Sequence, residues 1–132
     1  MLGWVADVER ATLDNTNFRT VLFTGEHTQL TVMRIEAGDD IGLETHEDHD
    51  QFIRIEEGQA RVELGPTEDQ IEETHEVEAD WALIVPAGIW HNVVNTGDGD
   101  LKVYSLYSPP EHPPETVHRT KADALAAEQA HR

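Results

Sequence analysis

Four side chains of types that bind metal ions lie at short spacings in two parts of the sequence. Glu44 and His46 are two residues apart, Gln51 follows a polar turn, and His91 lies much later in the chain. Residues two apart in an extended segment point to the same face, so Glu44 and His46 can reach one ion. Two imidazoles, a carboxylate and an amide oxygen suit Zn, Mn, Fe, Co or Ni. We therefore predict a divalent metal site at these four residues.

Two of these positions have competing interpretations. Gln51 begins a run in which Ile53 and Ile55 share its face, so its amide enters the apolar core. An unpaired buried amide costs about 1–3 kcal/mol, and either a metal ion or a hydrogen bond would remove that cost. Gln51 is thus either a ligand or a hydrogen-bond donor beside the ligands, and His49 is the alternative ligand. Glu44 is either a ligand or an exposed acid.

Short strands must position these side chains. Alternating or β-branched runs recur at intervals of about 8–12 residues between turn residues, which is typical of an all-β sandwich or barrel. Helix propensity appears only at the end of the chain, where Thr120 can cap a helix over 121–130. The predicted strands are 3–8, 19–24, 28–35, 42–46, 51–56, 60–64, 71–77, 81–85, 91–95 and 101–107.

The length of 132 residues predicts a single domain. We expect a barrel over 1–108, followed by a Pro-rich spacer and a helix over 109–132 that belong to the same domain. The chain contains no cysteine, which excludes disulfides, thiolate metal sites and cysteine nucleophiles. The absence of cysteine also fits a reducing cytoplasm.

The charge of the chain limits its partners. Asp and Glu number 27 against 9 Lys and Arg, so the formal net charge is −18. Such a chain repels phosphate backbones and anionic lipids, so we expect neither nucleic acid nor membrane as a partner. The sequence has no apolar stretch long enough to span a membrane, and the first residues lack the pattern of a signal peptide. We expect a cytoplasmic protein with a small-molecule ligand or substrate.

The first group of predicted ligands resembles the first sequence motif of the cupin superfamily. In that motif a His-x-His pair is followed by a Glu and then by a Gly. With Gly58 as the last residue of the motif, Glu44 and His46 occupy the two His positions and Gln51 occupies the Glu position. Gly38 aligns with the first Gly of the motif, outside its usual register. The two replaced ligands are still able to bind a metal ion.

The later ligand lies in a stretch that resembles the second cupin motif. Pro86, Gly88, His91 and Asn95 match this motif at the family spacing, whereas Asp80 replaces its leading Gly. The resemblance implies an all-β fold, the cupin double-stranded β-helix or jelly-roll barrel, with a short C-terminal helix in this chain. It also implies a metal site inside the barrel mouth and a homodimer.

Cupins include isomerases, dioxygenases and sugar-binding sensors, so the fold alone does not fix the function. The leading hypothesis is a metalloenzyme that acts on a small oxygenated substrate, sugar-like or carboxylate, by isomerase or dioxygenase-type chemistry. The alternative is a non-catalytic ligand-binding sensor with a structural metal. A saturated ligand shell would favour the sensor, and a polar pocket beside an open site would favour the enzyme.

Other polar residues of the strands have simpler roles in this interpretation. Tyr104 and Tyr107 have opposite parity on one strand, so at most one of them points inward. We expect surface pairing with acids for Arg34, Arg54 and Arg61. The histidines expected on the surface are His27, His75, His112, His118 and His131.

Overall fold

Two antiparallel β-sheets and two helices make up the computed structural model, which describes residues 2–130. Neither helix in this range has the length and apolarity needed to cross a membrane. The elements in chain order are α1 (Val8–Asp14), β1 (Arg19–Thr24), β2 (Gln29–Ile35), β3 (Asp50–Glu57), β4 (Gln59–Gly65), β5 (Glu73–Glu78), β6 (Ala82–Val85), β7 (Trp90–Asn95), β8 (Leu101–Ser108), β9 (Val117–His118) and α2 (Lys121–Ala130).

The strands form the jelly-roll arrangement that the sequence predicts. The larger sheet has the order β6-β3-β8-β2-β1-β9, and the smaller sheet has the order β5-β4-β7. Met33, Ile53 and Val103 of the larger sheet belong to one core cluster with Val62 and Val93 of the smaller sheet. Alternation of side chains along each strand supplies these inward apolar faces. The all-β fold with a C-terminal helix is confirmed.

Strand register gathers polar side chains at one end of this core. Tyr107 on β8 lies opposite Gln29 on β2 and Gln51 on β3, and all three side chains are buried. The next inward residue of β8, Ser105, lies between Thr31 and Ile53. The interior therefore changes from apolar to polar along the strands, and the polar end contains the predicted site.

Two predicted strands are wrong. Residues 3–8 form no strand; instead Asp7 caps α1 by accepting a hydrogen bond from the backbone nitrogen of Arg10 at 3.1 Å. Residues 42–46 make only one isolated bridge, between Glu44 and His91. Gly42 has a φ of 107°, which bends the chain away from extended geometry and keeps the ladder from continuing.

The C-terminal segment contains both a confirmed element and a missed one. Helix α2 has the predicted bounds, and the hydroxyl of Thr120 accepts a hydrogen bond from the backbone nitrogen of Asp123 at 3.1 Å. Strand β9 was not predicted, and it pairs with β1. Ala124 of α2 is 2% exposed and belongs to the main core cluster. The helix is therefore docked against the barrel.

Candidate metal centre

Backbone hydrogen bonds join the two sequence segments that contain the predicted ligands. The Glu44 nitrogen donates to the His91 oxygen at 3.0 Å, and the His91 nitrogen donates to the Glu44 oxygen at 2.9 Å. The nitrogen of Gly88 donates to the oxygen of His46 at 2.9 Å. Residues distant in sequence are thus held side by side before any ion is considered.

Glu44, His46 and His91 bring one ligand atom each within 4.8 Å of one another. Nε2 of His46 lies 3.3 Å from Oε1 of Glu44, and Nε2 of His91 lies 3.6 Å from the same oxygen. Both Nε2 atoms are buried and have no hydrogen-bond partner among the described residues. This arrangement fits a divalent ion, because two imidazoles and one carboxylate are common ligands for such ions and leave coordination positions open.

Charge within the cluster favours an ionised carboxylate. Burial opposes ionisation of Glu44 most strongly, but the neighbouring His46 and His91 outweigh it and hold the pKa of Glu44 well below its usual range. Burial also opposes the charged form of His46 and lowers its pKa, but hydrogen bonds and charges from Glu111 and Glu44 outweigh burial and raise that pKa to about 9. Glu44 is therefore available as an anionic ligand at neutral pH.

The structure is compatible with both roles that the sequence suggested for Gln51, a metal ligand and a hydrogen-bond donor. Its side chain is 2% exposed, and Nε2 donates a hydrogen bond to Oγ of Ser105 at 3.3 Å. Oε1 is buried and has no hydrogen-bond partner in residues 2–130. The amide therefore combines a donor that is already paired with an acceptor that is free, and its role as a metal ligand stays a prediction.

The alternative ligand, His49, faces a different part of the chain. Its Nε2 lies 2.9 Å from the oxygen of Pro110, and its Nδ1 lies 3.3 Å from Oε2 of Glu111. His49 is not part of the cluster that Glu44 forms with the other two histidines. The geometry thus gives His49 a role in holding the C-terminal segment.

Sequence reasoning missed Glu111, which lies in the Pro-rich segment. Oε2 of Glu111 lies 3.4 Å from Nδ1 of His46. The buried amide of Gln29 anchors this segment by donating to the oxygen of His112 at 2.7 Å and accepting from the nitrogens of Glu111 and His112 at 3.2 and 2.9 Å. The segment predicted as a spacer therefore forms a wall of the site. Its prolines are typical of a spacer, so nothing in the sequence indicated this role.

The barrel mouth also contains one inward tyrosine, which agrees with the prediction that at most one of Tyr104 and Tyr107 points inward. Tyr107 is 1% exposed, and its ring centroid lies 5.6 Å from that of His46. Burial raises the pKa of Tyr107, so its hydroxyl stays protonated. The ring of His112 packs on Tyr107 with centroids 5.3 Å apart, so the expectation of a surface position for His112 is wrong.

Arg19 is the second functional candidate that sequence reasoning missed. It is 3% exposed at the start of β1 and lies 3.2 Å from Nδ1 of His118, which is itself partly buried rather than on the surface. Strand parity could have indicated the burial of Arg19, because Arg19 lies on the same face of β1 as the core residue Val21. His27 and His75 are exposed as expected, and His131 lies outside the described residues.

Arg34, Arg54 and Arg61 pair with acidic side chains, as expected. The ion pairs are Arg34 with Asp100 at 2.8 Å, Arg54 with Glu56 at 3.0 Å and Arg61 with Glu63 at 3.4 Å.

A cavity of about 340 Å³ lies beside the ligand cluster. Glu44, Arg19 and Trp90 line it from the barrel, and Ala124 and Glu128 line it from α2. A cavity of this size is large enough for a small molecule. The candidate site therefore combines convergent ligands with an adjoining space that has polar walls.

Other motif residues support the scaffold. Nδ2 of Asn95 donates to the oxygens of Ile35 and Gly99, each at 2.9 Å, and its Oδ1 accepts from the nitrogen of Gly97 at 2.9 Å. These bonds close the loop between β7 and β8. Asn95 thus has a structural role and is not part of the ligand cluster.

Comparison with known proteins places these features in a family. The Cupin_2 family (cupin domain) matches residues 31–107. YrkC of Bacillus subtilis (strain 168) is 53% identical over 125 residues, which cover 95% of this chain and 67% of YrkC. The crystal structure of BH2720 from Bacillus halodurans matches with a TM-score of 0.92 and 50% identity, covering 93% of each chain. KdgF from Halomonas sp. shares the fold with a TM-score of 0.62 and 22% identity, covering 70% of this chain and 80% of KdgF. The chain, with its jelly-roll barrel and its cluster of Glu44, His46 and His91, belongs to the cupin family.

Proposed function

We propose that the chain is a metal-dependent enzyme of the cupin family. It binds one divalent ion through Glu44, His46 and His91, with Gln51 as the fourth ligand. Its substrate is a small oxygenated molecule, sugar-like or carboxylate, that enters the adjoining cavity. The reaction is of the isomerase or dioxygenase type.

The observation that carries the proposal is the convergence of two buried, unpartnered Nε2 atoms on one carboxylate oxygen. A buried polar atom without a partner costs about 1–3 kcal/mol, and a metal ion would supply both nitrogens with a partner at once. When bound, a zinc ion would act as a Lewis acid, and a redox-active ion such as iron would allow chemistry with oxygen.

The residues around the cluster have complementary tasks in this proposal. Glu44 supplies the negative ligand, because its pKa is held low. Tyr107 keeps a neutral, protonated hydroxyl inside the mouth, because burial raises its pKa. Trp90 and Ala124 cover part of the cavity and limit the access of water to it.

Elemental analysis of tag-free protein tests the metal site. We expect about one equivalent of metal per wild-type chain and a sharp loss in His46→Ala and His91→Ala. Phe52→Leu is the matched control, because Phe52 lies on the opposite face of β3 from Gln51 and packs near Tyr104, with ring centroids 6.1 Å apart. Equal metal retention in both histidine variants would contradict the site assignment.

The identity of the metal then directs the activity assays. Iron, manganese, nickel or cobalt would lead first to oxygen-consumption and isomerase assays of wild type against His91→Ala, and zinc would lead first to isomerase assays. Ligand binding without turnover of any substrate would favour a non-catalytic sensor. The homodimer and the cytoplasmic location stay predictions, and sedimentation velocity of the full chain tests the first.

A further inference from the structure

Arg19 has a buried positive charge that the described chain leaves without a counter-ion. The side chain is 3% exposed, and its Nε has no hydrogen-bond partner in residues 2–130. Within the same range no carboxylate oxygen lies within 4.0 Å of its guanidinium nitrogens. A buried charge is strongly destabilising unless an opposite charge neutralises it. In a chain with 27 acidic residues, the missing partner is unexpected.

The groups next to Arg19 do not neutralise this charge. One terminal nitrogen lies 3.2 Å from Nδ1 of His118, and the guanidinium lies 5.4 Å from the centre of the Phe18 ring. Neither side chain can become negative, and burial raises the pKa of the neighbouring Tyr107, so its hydroxyl also stays neutral. The partly buried acids of the ligand cluster and its surroundings, Glu44 and Glu111, lie against His46 and His49.

Arg19 lies where two cavities meet the barrel. It lines the cavity of about 340 Å³ that Glu44 also lines. It also lines a cavity of about 410 Å³, together with His112, Thr116 and His118. A molecule in the first cavity would therefore have Glu44 of the ligand cluster and the guanidinium of Arg19 on its walls.

We propose that Arg19 forms an anion-binding subsite for a carboxylate group of the substrate. The planar guanidinium matches a carboxylate through two parallel hydrogen bonds, and its buried Nε has no partner among the described residues. This inference rests on the proposed function for the identity of the anion as substrate, and it narrows the substrate class to small carboxylic acids.

The surroundings favour a carboxylate over a phosphate. A phosphate dianion is commonly held by several cations, whereas Arg19 is the one unpaired cation on the described walls of these two cavities. The other cation there, Lys121, already contacts Asp39 and Asp40. One carboxylate group of a small acid would pair with the guanidinium, because Glu44, Glu68 and Glu128 on the walls of the first cavity have no oxygen within 4.0 Å of it.

Calorimetric titration with malonate tests the subsite. The titrations use the full chain, metal-loaded and metal-stripped, with malonamide as the uncharged analogue and inorganic phosphate as the competing anion. We expect Arg19→Gln to weaken malonate binding by about tenfold or more in both forms, because a charge-assisted pair of hydrogen bonds is lost. Arg34→Gln is the control, because Arg34 is paired with Asp100 and lines neither cavity. Malonamide should bind weakly to every variant.

Thermal unfolding gives a second readout that does not depend on the metal. Malonate should raise the melting temperature of the wild type and not that of Arg19→Gln. Should Arg19→Gln fail to fold, Arg19→Lys is the second variant. Lysine keeps the positive charge but lacks the two parallel N–H donors of the guanidinium, so it should bind malonate more weakly than the wild type.

The outcomes separate this inference from the proposed function. Equal malonate affinity in wild type and Arg19→Gln, no malonate binding, or tighter binding of phosphate than of malonate would each overturn the subsite. Malonate binding that depends on Arg19 in a chain that takes up no metal would support the subsite and contradict the metal-dependent function.

Discussion

Glu111 lies 3.4 Å from Nδ1 of His46, whereas Glu44 lies 3.3 Å from Nε2 of the same ring. The carboxylate at Nδ1 keeps a proton on that nitrogen, so Nε2 is the atom that gives up its proton and faces the ion when a metal binds. The Pro-rich segment thus supplies a partner that orients a ligand on the barrel. This relationship links the end of the chain to the candidate metal centre.

Replacement of this carboxylate should weaken metal binding without removing a ligand. We expect Glu111→Gln to lower metal affinity by about 10–100-fold, because the neutral amide no longer fixes the imidazole in the same way. Competition with a chromophoric chelator measures the change. Glu26→Gln, on an exposed turn, should leave the affinity unchanged. Unchanged affinity in both variants would contradict an orienting role for Glu111.

The free oxygen of Gln51 makes the fourth ligand testable. Gln51→Glu should raise metal affinity by about tenfold, because a carboxylate attracts a divalent ion more strongly than an amide does. Ser105→Ala should lower the affinity moderately, because it removes the hydrogen bond that holds the amide. The same chelator titration measures both variants. A loss of affinity in Gln51→Glu would show that Gln51 serves only as a hydrogen-bond donor.

Gly58 ends the first motif and occupies a position that only glycine fits. Its φ is 103°, and an added Cβ would lie 2.9 Å from the oxygen of Asp100 and 3.1 Å from Cα of Leu101. We expect Gly58→Ala to lower the free energy of unfolding by about 2–4 kcal/mol, from backbone strain and overpacking together. Urea denaturation measures this. Gly99→Ala is the control, because an added Cβ there meets no atom within 4 Å. Equal losses in the two variants would refute the steric explanation.

The partly buried ring of His112 should make stability depend on pH. Burial and the charge of Arg19 lower the pKa of His112 to about 3, although Glu111 and Glu44 oppose this shift. Because the folded pKa lies below the unfolded value of about 6.5, the unfolded chain takes up the proton first as the pH falls. This contribution to stability is complete above pH 6.5 and decreases toward the folded pKa.

We therefore expect the wild type to lose more stability between pH 7 and pH 5 than His112→Phe does, by about 1–2 kcal/mol. Phenylalanine keeps the ring packing on Tyr107 and cannot titrate. Urea denaturation at the two pH values measures the difference. His75→Gln, at an exposed position, should behave like the wild type. Identical pH dependence in wild type and His112→Phe would show that His112 does not contribute.

Local pattern was sufficient for most of the strands and for the ligand types. β1 runs from Arg19 to Thr24, as alternation predicts, and α2 follows the cap at Thr120. Side-chain parity placed Gln51 inside and allowed at most one inward residue of Tyr104 and Tyr107, because the pleat repeats every two residues. The clustering of Glu44, His46 and His91 could be predicted from residue type and spacing, and metal binding by the cluster stays a prediction.

The tertiary structure alone decided which distant residues meet. Gly42 ends the extended geometry before Glu44, yet the bridge to His91 still brings the two side chains together. Glu111 has no spacing that marks it, and Arg19 has only its shared strand face with Val21, since the burial of both depends on how β9, α2 and the Pro-rich segment pack against the barrel. Periodicity reports the face of a strand, whereas pairing across the chain determines what that face contacts.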